Sequence, residues 1–583
     1  MRMVICQDLS EVFLPDLNGM VNRINDCAQP IIDLLRQLPS EFANTQATSN
    51  CLGFVLQVDF FHCFQNTRFT YSPSSKHLYI RCTKASNLHM QTFYCLVRCT
   101  SSQSFLVGME IASLLMCFVL WQISVDLFML NSNYCDIATI SGVARFSGGG
   151  VYHYPNFHYD PEAQRQPVGG GDTGGHQEQK RKLAPYELCD YVEVESLRRD
   201  LLRYLIRKIG FEAVLRLRCT RGLTVQNFYG NFFMRSVDLL ILPIVNPDAG
   251  YAMQLEINER LDSFSTVIFQ VALLYTSAFG DRRIRVHTLC IPVTNSPETI
   301  FNHADEGAVA CLVAKMAVER TISSSLSNAR EALTTVMGDI LSAYQNERNR
   351  GTSHSSLSDI CPASLRLLPS YLCGALRFAA FRNHISTSLD VRSGALELLI
   401  GASTHRVLSL IYPRLYAVNS LITEPVCGKN ATLAQKFASL SLKDEPFVPL
   451  PCLPLTGKSI TRDGVFLLDT GSLILLLVGY GIPASDLQSL IGYSNIEELT
   501  VEKSLTKLAD LPEGEKPPPP RKRLQALVKS IQRDRSLGTA LVLIRHDVPE
   551  PLKSRFINAL VEDRTSTAPS YPEYVQMILS GRS

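Results

Sequence analysis

YLIRKIGFEAVLRLRCTRGLTVQNFYGNFFMRSVDLLILPIVNPDAG, residues Tyr204 to Gly250, is the stretch on which the fold turns. A helix is expected to end at Gly210, followed by a strand that carries Arg216-Leu217-Arg218. Side chains on a strand alternate between its faces. Ala213, Leu215, Leu217 and Cys219 therefore point one way, and Glu212, Val214, Arg216, Arg218 and Thr220 the other. Two guanidinium groups at i and i+2 share a face, roughly 7 Å apart at the Cα level. An extended peptide with acids at i and i+2 presents carboxylates at the same spacing. Arginine grips a carboxylate bidentately, so the pair has the form of a receptor for an acid-x-acid signal. The same pair also suits an ordinary solvated strand face, and alone it does not separate the two.

Working outward, Leu197, Leu201, Leu205 and Ile209 recur at fourfold spacing and predict the preceding helix. From Phe211 to about Val293 the pattern is β-rich, with Asn246 to Gly250 (NPDAG) as a turn and Arg282 to Val293 (RRIRVHTLCIPV) as a strand of alternating charge. Upstream, VDLFML (Val125 to Leu130) reads as a buried strand, and Gly148-Gly149-Gly150 lead into the aromatic VYHYPNFHY. Met1 to Ile5 resembles an opening strand, and Ile31, Ile32, Leu34, Leu35 and Leu38 give the next helix an apolar face. Gln164 to Lys182 is a Gly/Gln/Lys-rich linker. From Asp305 the period turns helical, with Val309, Leu312, Val313, Met316 and Ala317 on one face. Gly464 to Gly481 reads as two buried strands around a Thr-Gly turn. Pro517 to Pro520 and Arg521-Lys522-Arg523 read as a polyproline linker inside a domain. A strand over Leu541 to Asp547 and a last helix with Phe556, Leu560 and Val561 close the chain.

A chain of 583 residues has room for several domains. The net charge of +2 supplies no global field for nucleic acid, so any recognition of acids is local. Seventeen cysteines at this length fall far short of a disulfide-dense secreted domain. The opening MRMVICQDLSEVFLPD lacks a signal-peptide core because Asp8 and Glu11 interrupt it, and a reducing, cytosolic compartment is expected. Cys95 and Cys99, even with His62, Cys63, Cys82 and His89, do not have structural-zinc spacing. Phe105 to Trp121 is apolar apart from Glu110, but shorter than the roughly 20 residues of a membrane span. The glycine clusters lack the Gly-Lys-Ser/Thr of a phosphate loop, and no HExxH or GxSxG motif occurs. Binding rather than catalysis is expected.

The ordered phrases SVDLFML, GGGVYHYPNFHY, LLRYLIRKIGFEAVLRLRCTRGL, FYGNFFMRSVDLL, NPDAGYAMQ and RRIRVHTLCIPV resemble the cargo-adaptor subunit of the COPII inner coat, the Sec-twenty-four type. MAVERTISSSLSNAREAL, SLRLLPSYL, IYPRLYAVN, TRDGVFLLDTGS, IGYSNI and VEDRTSTAPSYPEY continue the resemblance in the same order, over residues 1–52 and 124–583. It implies a multidomain α+β fold: a partial von Willebrand-A-like α/β trunk (1–160), a flexible linker (161–190), a β-sandwich (191–300), an all-helical domain (301–403), a gelsolin-like α/β domain (404–552) and a C-terminal helix packing on the helical domain (553–583).

The resemblance also implies a non-enzymatic vesicle-coat adaptor, peripheral on the cytosolic face of endoplasmic reticulum exit sites. Its implied partners are the GTPase-activating COPII subunit, a Sar-type GTPase, the cytosolic tails of cargo receptors and SNAREs, and indirectly the outer coat. Arg216 and Arg218 match the family's arginines at an acidic-signal pocket between trunk and β-sandwich. The family's Pro-rich N-terminal tail and zinc ribbon have no counterpart, so no zinc or other cofactor is expected. Family wording stops at Gly53 and returns at Ser124, and Phe54 to Ile123 is read as non-native sequence such as translated intron. A sheet missing its central strands could not cover its faces. The sister GTPase-activating subunit, an actin-binding gelsolin module and a truncated inactive product are the alternatives.

Overall fold

A computed structural model describes residues 51–56, 75–77, 96–98, 124–131, 134–155, 157, 185–348, 361–385, 387–422, 450–499, 519–533, 540–547, 551–565 and 568–580. The expected opening strand, the helix of Ile31 to Leu38, the candidate zinc ligands, the apolar run Phe105 to Trp121 and the linker Gln164 to Lys182 lie outside these residues.

The first layer is α/β. Strand β1 (Cys51–Leu56) precedes a short antiparallel pair, β2 (Ser75–His77) and β3 (Leu96–Arg98). Strand β4 (Val125–Asn131), helix α1 (Ile137–Phe146) and strand β5 (Val151–Pro155) follow. The sheet order is β1-β4-β5, parallel throughout. Every residue of β4 is buried, as expected for a parallel strand covered on both faces. Helix α2 (Pro185–Ile206) locks onto it through aromatic rings. Phe128 stacks on Tyr152 at 4.4 Å and meets Tyr204 edge-on at 5.5 Å. Helix α2 starts at Pro185, so its first six residues lie inside the expected linker of 161–190, and it stops at Ile206, short of Gly210. Gly210 instead opens the next strand, because a Cβ there would press into the Tyr275 ring.

The second layer is the sandwich. It runs β6 (Gly210–Cys219), β7 (Leu223–Tyr229), β8 (Phe233–Ser236), β9 (Leu239–Val245), β10 (Ala252–Ile257), β11 (Thr266–Ser277) and β12 (Arg282–Pro292). One sheet has the order β12-β11-β6-β9-β8, and the other pairs β10 with β7. Ala213, Leu215, Leu217, Phe228, Leu240 and Leu242 form the core between them. Strand β12 is exposed along its whole length, because it is the outer edge and the two described strands of the facing sheet do not cover it.

The third layer is helical: α3 (Pro297–Asn302), α4 (Glu306–Ser323), α5 (Leu326–Arg348), α6 (Leu368–Arg377), α7 (Leu389–Gly401) and α8 (Thr404–Ile411). The deepest face of α4 is Ala310, Cys311, Ala314, Lys315, Ala317 and Val318. The larger residues predicted for that face, Val309, Leu312, Val313 and Met316, flank it and are only partly buried. Small residues let the neighbouring helices approach closely, so the innermost stripe is not the most hydrophobic one. Helix α8 packs on α4 and α6, so the helical layer continues past the expected boundary at 403.

The fourth layer is a sheet of order β14-β13-β15-β16-β17. Its strands are β13 (Arg414–Ala417), β14 (Cys452–Leu453), β15 (Val465–Asp469), β16 (Leu473–Val478) and β17 (Ala540–Arg545). The apolar runs VFLLD and LILLLV are buried on both faces, and alternation sorts them. Phe466, Leu468, Leu473, Leu475 and Leu477 join the helical core. Val465, Leu467, Ile474, Leu476 and Val478 join a second core with α9 (Ala484–Leu490) and α10 (Pro519–Arg533). Helix α10 corrects the linker reading. Prolines are tolerated in a first helical turn, and Leu524, Leu527, Val528 and Ile531 then give an apolar face. Arg521 of the supposed linker is buried.

Two helices rather than one close the chain: α11 (Pro551–Asn558), which carries Phe556, and α12 (Tyr571–Ser580), which lies against α5 and α6. No described helix is long and apolar enough to cross a membrane.

Candidate functional site

Strand β6 presents its two faces as the alternation requires. Ala213, Leu215 and Leu217 are buried, whereas Arg216 and Arg218 are exposed on the outer face. Across the ladder, Arg216 pairs with Ala272 and Arg218 with Gln270 on β11, so neither guanidinium meets an acid from that strand. On the other side Arg216 pairs with Leu239, the first residue of β9. The turn Val237-Asp238 joins β8 to β9, and this register delivers Asp238 to Arg216. Arg216 Nε donates to Asp238 Oδ2 at 2.6 Å, and Ser236 Oγ donates to Asp238 Oδ1 at 3.2 Å. The Arg216 guanidinium holds the Asp238 carboxyl below its ordinary value. The Arg218 side chain has no hydrogen bond or ion pair among the described residues. Glu212, on the same face, lies 3.7 Å from Arg282. Of the two predicted site residues, therefore, one is already answered by an internal acid and the other is open.

A second place draws together motifs that the sequence left unconnected. Gly148 to Gly150, Asn231, Asp248 to Tyr251 and Glu397 line a small open cleft where trunk, sandwich and helical layer meet. Asn231 Nδ2 donates to Gly149 O at 2.7 Å, tying the FYGNFF phrase to the glycine cluster. Asp126 accepts from Gly150 N and Tyr204 Oη, each at 2.8 Å, yet burial pushes its carboxyl up. Arg203 and Arg207 both reach Asp248 of the NPDAG turn, at 3.0 and 3.3 Å. Gly250 N donates to Gly401 O at 2.9 Å, and a Cβ on Gly250 would overlap the Ala402 carbonyl, which explains the glycine. Asp390 of α7 accepts from Cys135 N at 2.7 Å and Ile137 N at 2.9 Å, and so caps α1 from across the domain boundary. These motifs thus fasten domains to one another.

Lys315 joins this junction from below. It is 1% exposed, and its Nζ donates to Gly250 O at 2.9 Å and Ile400 O at 2.7 Å. Burial lowers its pKa to about 8. The unfolded chain then binds the proton more tightly than the folded one. The cost of burying the charge is fully present below pH 8 and is relieved as the pH rises toward the ordinary lysine value near 10.4. Relative to Lys315→Met, the native chain should therefore gain stability between about pH 8 and 10, by at most about 3 kcal/mol. Chemical denaturation of both proteins across that window checks this, and parallel pH profiles would contradict it.

Sequence reasoning missed Asp238, Lys315 and Asp390. Each acts on residues distant in sequence or across a turn, so no local period marks it. Among the described residues, trunk and sandwich meet at Asn231 against Gly149 and at Gly148 beside Pro243 and Ile244, and no hydrogen bond or ion pair joins Arg216 or Arg218 to the trunk. Among the described residues, no group of three or more His, Cys, Asp or Glu could hold a metal.

A partial α/β trunk, a two-sheet sandwich, a helical layer and a gelsolin-like sheet fastened by buried polar ties define a multidomain α+β protein. Family models match accordingly: the Sec23/Sec24 trunk domain at residues 1–67 and 112–166, the Sec23/Sec24 beta-sandwich domain at 210–294, the Sec23/Sec24 helical domain at 305–409 and a gelsolin repeat at 446–519. The chain belongs to the Sec23/Sec24 family, as a Sec24-type COPII subunit. It is 35% identical to human protein transport protein Sec24B over 98% of its own length and 41% of the relative's. To mouse protein transport protein Sec24A it is 34% identical over 98% of its length and 48% of the relative's. It thus spans less than half of these two relatives. The crystal structure of the human COPII-coat protein Sec24c shares the fold, with a TM-score of 0.64 at 22% identity, covering 82% of this chain and 53% of that one. The trunk match reaches residue 67 and resumes at 112, so the break is narrower than the interval 54–123 expected from the wording.

Proposed function

We propose that the chain acts as a non-enzymatic COPII coat component in endoplasmic reticulum to Golgi transport, collecting cargo receptors and SNAREs by short acidic signals on their cytosolic tails. The observation that carries this reading is the outward-facing Arg216 and Arg218 pair on the β-sandwich strand of a Sec24-type chain. Charge-assisted bonds from arginine to a carboxylate are short and forked, and their spacing on a strand fits acids at alternate positions of an extended tail. In this reading the chain works beside the GTPase-activating coat subunit and a Sar-type GTPase on the cytosolic membrane face, with the outer coat engaged indirectly. It needs no cofactor.

Fluorescence anisotropy with a labelled acid-x-acid peptide and its amide-x-amide counterpart tests the reading. The acid peptide should bind and the amide peptide should not, and raising the salt concentration should weaken binding. Equal binding of the two peptides would contradict it.

A further inference from the structure

We propose that Asp238 sets the selectivity of the acid-reading face: it neutralises Arg216, leaves Arg218 as the primary contact, and so narrows the advantage that a tail with two acids has over a tail with one. The inference rests on the reading that the arginine pair binds acidic tails. Three observations carry it. The Arg216 Nε to Asp238 Oδ2 bond is 2.6 Å long, and the other carboxylate oxygen is engaged by Ser236 Oγ, so Asp238 is held rather than merely nearby. The pairing of Leu239 with Arg216 fixes the turn that carries Asp238, so the contact is a consequence of strand register. Arg218, two residues on and on the same face, has no acid partner among the described residues.

The two arginines are therefore unequal. Bonding through Nε leaves the Nη1 and Nη2 edge of Arg216 able to receive a carboxylate, but that carboxylate also meets the charge of Asp238. At Arg218 an incoming carboxylate meets an uncompensated cation. One acid is held by Arg218, and the second, at Arg216, adds less attraction than an isolated arginine would give. Glu212 does not restore the balance, since its own carboxylate faces Arg282. Asparagine at position 238 would keep an oxygen acceptor for Arg216 Nε while removing the charge, so Asp238→Asn separates neutralisation from positioning.

The experiment measures anisotropy of acid-x-acid, acid-x-amide and amide-x-acid peptides on the full chain, native and with Asp238→Asn, Arg216→Ala or Arg218→Ala. Asp238→Asn should tighten the acid-x-acid peptide about fivefold, steepen its salt dependence, and raise the single-acid peptides by a smaller factor. Arg218→Ala should cost more than Arg216→Ala. Unchanged or weaker binding by Asp238→Asn, with native binding intact and lost in Arg218→Ala, would overturn the role of Asp238 while leaving the arginine reading in place. Absence of binding by both the native chain and Asp238→Asn would overturn both.

Discussion

Arg377→Met is expected to release the C-terminal helices from the helical layer. Arg377 sits on α6, 7% exposed, and reaches three carbonyls of one segment. Its Nη1 donates to Leu560 O at 3.3 Å, and its Nη2 donates to the carbonyls of Asp563 and Pro569. Burial lowers its pKa from the ordinary arginine value, yet the guanidinium remains the cation there. The same segment is knotted to the gelsolin-like layer. Glu562 Oε1 accepts from Tyr412 Oη at 2.8 Å, and the Asp563 carboxylate accepts from Thr456 Oγ1 and Gly457 N at 2.7 Å each. Methionine approximates the volume but offers no donor, and each buried carbonyl left unmet costs about 1–3 kcal/mol.

The expected local destabilisation is on the order of 3–5 kcal/mol, as for breaking a buried charged contact. Hydrogen exchange reads it directly. Amides of α11 and α12 should lose protection by about a hundredfold or more, while β15 and β16 keep theirs. Native-like protection in α12 would contradict the assignment of Arg377 as the tie.

Much of this architecture was legible because it rests on short periods. The runs at Val465 to Asp469 and Leu473 to Val478 read as buried strands, and alternation places their two faces in separate cores. The outward side of β6 was readable from the period of two alone. Where tertiary contacts decide, the sequence misled. The inner stripe of α4 is mostly small residues, three alanines and a cysteine, with Lys315 and Val318, because close helix approach, not side-chain size, governs that surface. Gly210 resembles a helix stop, but it is small because Tyr275 lies over it. Pro519 resembles a linker, but it starts α10. The candidate site was half legible. The arginines are a spacing signal, whereas Asp238 reaches Arg216 only through the register of β8, β9 and β6, which no local pattern displays.

Removing both arginines is expected to have the largest effect on binding. Each forked contact with a carboxylate contributes roughly 1.5–3 kcal/mol, and exposure to solvent favours the lower end. The Arg216 side chain is 48% exposed and already paired with Asp238, so its share should be the smaller. Arg216→Ala with Arg218→Ala should weaken an acid-x-acid peptide by about a hundredfold and abolish most of its salt dependence. The fold should be untouched. Both side chains point outward, and the core beneath them, Leu215 and Leu217, is unchanged. A circular-dichroism spectrum matching that of the native chain, together with lost binding, is the expected pair of results.

The most direct measurement is a double-mutant cycle between Arg218 and the peptide. Affinities are taken for native and Arg218→Ala chains, each with the acidic peptide and with a version in which one acid is replaced by its amide. If Arg218 grips that carboxylate, the losses should not add, and the coupling should reach about 1 kcal/mol or more for one of the two acids. Coupling near zero for both acids would show that Arg218 does not touch the signal, and would contradict the account.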